Sequence, residues 1–141
     1  MANFAFDYQR DNMWGEGTRI DYDTDTIKGM FIDHADDTPV VTDNFIDDIL
    51  SAARVPAIAS CPALGTVTIG IVGVGVLDAV DLVFTSLSGD PSESLILFKD
   101  TGVESTSALG LRWDTATGLP LTPNGGNVTV VWAPGGIGTI S

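Results

Sequence analysis

From Val55 to Leu77 the chain carries no charged side chain, and this stretch constrains the fold more than any other. It is long enough to cross a bilayer, which takes about 20 apolar residues. It is also interrupted by Pro56, Pro62, Gly65, Gly70, Gly73 and Gly75, and it has no basic flank to set an orientation. A spanning helix is therefore not expected. Thr66, Val67, Thr68, Ile69, Ile71, Val72, Val74 and Val76 are β-branched, which favours a buried strand. Gly70, Gly73 and Gly75 then mark bulges or places where backbones approach closely.

Strand and turn signals continue to the C-terminus. Strands are expected over Thr26–Ile32, Val80–Leu87, Glu93–Lys99, Leu109–Asp114 and Asn127–Trp132. In the third of these, Leu95, Leu97 and Lys99 fall on one face and Ile96 and Phe98 on the other. The turns are Ser88-Gly89-Asp90-Pro91, Asp100-Thr101-Gly102, Thr117-Gly118-Leu119-Pro120 and Pro123-Asn124-Gly125-Gly126. Helix is expected only early, as a short helix or docked arm over Asp7–Trp14 and a second over Asp43–Leu50. Thr42 or Asp43 can cap the second, and Phe45, Ile46, Ile49 and Leu50 share one of its faces. These elements predict a mainly β chain, a β-sandwich or barrel-like fold with one to three short helices near the N-terminus. The 141 residues are read as a single β-rich domain, with residues 1–20 as an N-terminal arm or short helix and residues 133–141 as an extended tail.

The charge balance excludes several functions. Asp plus Glu number 19 against 6 Lys plus Arg, for a net charge of -13. Such a surface repels phosphate, so neither nucleic acid nor an anionic membrane is an expected partner. Cys61 and His34 are each the sole residue of their type, so there is no internal disulfide, no cysteine zinc site and no site built on paired imidazoles. The opening Met1-Ala2-Asn3-Phe4 shows no secretory leader pattern.

The motifs that invite chemistry each fall short. Asp21, Asp23 and Asp25 begin like a calcium loop, but Thr26 stands where the loop needs glycine and Ile32 where it needs a bidentate Glu. His34 lies among Asp33, Asp36 and Asp37 with no adjacent nucleophile motif, so it reads as a loop histidine. Cys61 has no basic neighbour in sequence and reads as a small buried residue. The strings Gly70–Gly75 and Gly135–Gly138 match no phosphate-binding spacing and lack the lysine. No enzyme activity, cofactor or metal is expected. Trp113, mid-strand, is expected in the core. Trp132 is followed by an uncharged tail suited to pairing along an edge strand, its own or a neighbour's.

Residues 24–55 and 78–132 resemble stretches of small tailed-bacteriophage virion structural proteins. The most specific part is Asp114-Thr115-Ala116-Thr117-Gly118-Leu119-Pro120 followed by Thr122-Pro123-Asn124-Gly125-Gly126. Asp25–Asp33, Asp43–Val55 and Ser88–Gly102 also match the pattern. The chain departs from it in the more apolar segment Cys61–Val76 and in its glycine-rich end. The resemblance implies a virion structural protein, made in the host cytoplasm. The preferred role is a capsid decoration (cement) protein that binds and stabilises the outer surface of the major capsid protein shell. A tail or fibre-associated binding module is the alternative. Expected partners are the major capsid protein and neighbouring copies of the chain in a homo-oligomer. The residues expected at the interface are Phe4, Phe6, Trp14, Trp132, Ile137 and Ile140, because burying uncharged side chains avoids the cost of dehydrating carboxylates.

Overall fold

Three long strands buried on both faces organise the structure, a computed structural model that describes residues 3–12, 19–71 and 73–139. Strands β2 (Ile27–Ile32), β7 (Ser94–Lys99) and β8 (Leu109–Trp113) form the centre of a five-stranded antiparallel sheet. The short strands β1 (Phe4–Ala5) and β3 (Arg54–Val55) close its two edges, in the order β1-β8-β7-β2-β3. A second, three-stranded sheet has the order β10-β5-β4, from β4 (Thr68–Ile69), β5 (Val76–Asp78) and β10 (Gly138–Thr139). A two-stranded ribbon pairs β6 (Leu82–Phe84) with β9 (Val128–Val130). The chain is mainly β, as its sequence predicts, and the sheets do not close into a barrel.

Both faces of the large sheet are buried. Met30, Ile32, Ile96, Phe98 and Leu109 pack on one side with Phe6, Ile46, Ile49 and Ala53. Ile27, Phe31, Leu95 and Leu97 pack on the other against Leu82, Phe84 and Ile137 of the smaller sheets. The expected division of β7 into a Leu95/Leu97 face and an Ile96/Phe98 face is observed. Lys99 ends the strand in an ion pair with Asp25, 2.9 Å away. Pairing slips at one point between β7 and β8: Leu97 faces Leu111 and Phe98 faces Leu109. Gly110 is the extra residue, which is why Leu109 and Leu111 reach opposite faces of the sheet. A side chain at Gly110 would collide with the Tyr22 hydroxyl and Gln9, which hydrogen-bond to each other at 2.5 Å.

The expected short helix over Asp7–Trp14 is present as α1 (Asp7–Asn12), with Met13 and Trp14 outside the described residues. Two expectations are corrected. The span Asp43–Leu50 holds only a 3-10 turn, Ile46–Asp48. There the Asp48 carboxylate accepts hydrogen bonds from the Asn44 and Phe45 amides, which lie just ahead of the turn. The β-branched run Thr66–Val76 is not one strand. Gly70 and Gly75 take positive φ (74° and 73°) and fold it into the β4–β5 hairpin, joined by Ile69↔Leu77 pairing. The tail pairs with its own chain, Gly138 opposite Leu77 and Thr139 opposite Val76. Among the described residues no helix is long and apolar enough to cross a membrane.

Candidate functional site

An apolar cleft of about 690 Å³ lies between residues of the large sheet and the β6–β9 ribbon. Phe31 and Leu95 of the large sheet line it, and Trp113, Val128, Val130 and Trp132 stand around them. The two indoles are 5.6 Å apart at an interplanar angle of 49°. Trp132 is held from behind. Its amide donates to the Asp81 carboxylate at 3.0 Å and its ring N–H to the Val80 carbonyl at 3.2 Å. One wall is the run from Ala116 to Leu121. That run is tied down by paired backbone hydrogen bonds between Ser92 and Leu121, each 2.8 Å. Farther along, Gly125 and Gly126 bond to Leu87 of the preceding turn. No charged side chain lines the cleft. Its chemistry is therefore desolvation and aromatic contact, suited to aliphatic or aromatic groups.

The interface residues expected from sequence divide accordingly. Trp132 is half-buried in the cleft wall, and Trp113, expected in the core, is half-buried opposite it. Its burial is incomplete because it faces the cleft. Phe6 is a correction: it is 0% exposed in the chain's own core, drawn in by its amide's 3.0 Å bond to the Gly110 carbonyl. Ile137 is 8% exposed because β10 docks on β5, and it lines the same cleft as Trp132. Phe4 is half-buried, edge-on to Phe6 and 4.8 Å beneath the Arg112 guanidinium. Trp14 and Ile140 lie outside the described residues.

A second cluster was not foreseen. His34 Nε2 lies 2.8 Å from Ser94 Oγ and 3.4 Å from an Arg112 nitrogen. Arg112 can only donate, so Nε2 is the acceptor and the Ser94 hydroxyl donates to it as well. The Arg112 side chain is 1% exposed and pairs with Asp114, 5% exposed, at 3.3 Å. The His34 amide donates to the Glu93 carboxylate at 2.8 Å. Burial first, and then the neighbouring guanidinium, lowers the His34 pKa from its ordinary value. The Ser–His contact resembles half of a nucleophilic centre, but Ser94 is 0% exposed and no substrate carbonyl can reach its oxygen. Partners 60 and 78 residues apart in sequence left no local signal for this cluster.

The remaining candidates are occupied by the fold. The Asp21 carboxylate accepts from the Asp23 and Thr24 amides. Asp25 accepts from the Asp21 amide and pairs with Lys99, so the acidic run is a hydrogen-bonded turn. Cys61 is buried, its thiol faces the Pro56 and Ala57 carbonyls, and burial pushes its pKa up to about 12. That thiol is protonated and unreactive at neutral pH. No protein-family model matches this chain, and no curated protein matches it.

Proposed function

We propose that the chain is a structural protein of a tailed-phage particle, a decoration protein that binds the outer face of the major capsid shell and stabilises it. The observation that carries this reading is a coincidence of position. The segment most like the virion proteins, Asp114–Gly126, contributes Ala116, Thr117, Gly118, Leu119 and Leu121 to the lining of the cleft. The charge distribution supports the same reading. Arg10, Lys28, Arg54, Lys99 and Arg112 are each paired with a carboxylate of the chain. The excess of acidic side chains gives the protein a surface that packaged DNA repels. A tail or fibre-associated role is the second reading, favoured by the paired indoles of a concave, ligand-sized cleft.

Quantitative mass spectrometry of purified particles tests both. A copy number matching that of the shell protein supports decoration, and one matching the tail components supports the second reading. Absence from the particle overturns both. Added protein that protects particles against heat or chelator strengthens the first, since a ligand that binds only the assembled shell stabilises it by mass action.

A further inference from the structure

The lining of the cleft runs without a gap from Val128 to Pro134. Neighbouring residues of a strand point to opposite faces, so a face would contribute only every second one. An unbroken run is the contribution of an edge. Hydrogen bonds fix which backbone groups that edge presents. The Trp132 amide donates to the carboxylate of Asp81, just before β6, at 3.0 Å. At the other end of the ribbon the Ser86 amide donates to the Asn127 side chain, also at 3.0 Å. Both donors continue the alternation in which Val128 and Val130 face Phe84 and Leu82 of β6 with their amides and carbonyls. The backbone groups of Thr129 and Val131 therefore point away from β6. Among the described residues none bonds to them.

We propose that the β9 edge takes up an extended peptide of a partner protein as a further strand, apolar along the cleft and basic at its ends. The open edge selects the backbone. Amides and carbonyls presented at alternate residues are satisfied by another extended chain, whereas a purely apolar small molecule would leave them unpaired. The rest of the lining selects the side chains. Phe31, Leu95, Trp113 and Leu119 offer them apolar and aromatic surface with no charge. The charge of the whole chain selects the ends. At a net charge of -13, with the exposed Asp81 carboxylate beside the edge, flanking Lys or Arg is attracted and flanking Asp or Glu is repelled. The inference stands on the cleft alone and does not depend on the particle reading.

The test selects binders of the full-length protein from a display library of short random peptides and measures synthetic copies by calorimetry. Enriched peptides are expected to alternate apolar residues and to carry Lys or Arg at their ends. Copies methylated on every second backbone nitrogen lose those donors but keep every side chain. In a strand only alternate amides face the neighbour, so one register of methylation is expected to weaken binding about tenfold or more and the other to leave it unchanged. The variant T129P removes the outward amide at an exposed edge position, where proline is tolerated. It is expected to bind the same peptides about tenfold more weakly while its circular dichroism matches wild type. A library that yields no enriched peptide overturns the proposal. So do enriched peptides with acidic ends, copies that bind alike whichever register is methylated, or a folded T129P that binds like wild type. Should T129P fail to fold, the two methylation registers decide.

Discussion

Replacing Arg112 with methionine keeps much of the packing of its stem but removes the cation 3.3 Å from the Asp114 carboxylate. That carboxylate is 5% exposed and cannot recruit water in exchange. The expected cost is about 3–5 kcal/mol in urea denaturation, the usual penalty for stranding one member of a buried pair. The double variant R112M/D114N should recover part of it, because the stranded charge is then gone. His34 gives the same cluster a pH response. Its pKa is lower in the folded chain than in the unfolded one, despite opposing pulls from Glu93, Asp114 and Asp33. The unfolded state therefore binds the proton more readily. Stability is full above a pH of about 6.5 and falls as the pH drops below it. Denaturation midpoints measured from about pH 8 down to about pH 5 should fall faster for wild type than for H34Q. Parallel curves would remove His34 as the cause.

At the scale of elements, Gly110 and the tail carry the clearest consequences. G110A drives a methyl group against Tyr22 and Gln9 and lies 3.1 Å from the Leu97 carbonyl, where the backbone cannot give way. A loss of about 1–3 kcal/mol in denaturation is expected, as for other overpacked sites. Removing residues 133–141 strips β5 of one of its two partners, β10, and takes Ile137 out of the core. This truncation should lower the thermal midpoint even without any partner, so a binding defect in it is interpretable only after stability is matched. What was legible in sequence follows from pairing. Strands β2, β7 and β8 were readable because they lie side by side and bury alternate residues on two faces. The run Thr66–Val76 has equal strand propensity, but its glycines spend that propensity on a turn. Phe45, Ile46, Ile49 and Leu50 are spaced as on a helix, although Ile46 and Ile49 are buried from a 3-10 turn and the extended residue after it. The cleft was beyond reach from sequence, since its lining gathers residues as distant as Phe31, Leu95 and Trp132, which no local spacing joins.

For the whole molecule, the decisive quantity is the excess of carboxylates left after the internal ion pairs are made. Contact between two such copies is opposed by their fields, and added salt shortens the reach of those fields to about 8 Å at physiological ionic strength. Any contact between copies that rests on uncharged surface should therefore tighten as sodium chloride is raised. An assembly held by ion pairs would loosen, and sedimentation across a salt series separates the two. The large sheet has a further property at this scale. Its long strands β2, β7 and β8 lie inside, while the edge strands β1 and β3 are only 2 residues each. A sheet whose margins are this brief offers almost no ladder of open amides for a stranger's strand to continue. The large sheet is thus guarded against edge-to-edge pairing by its own shape, and not by charge alone.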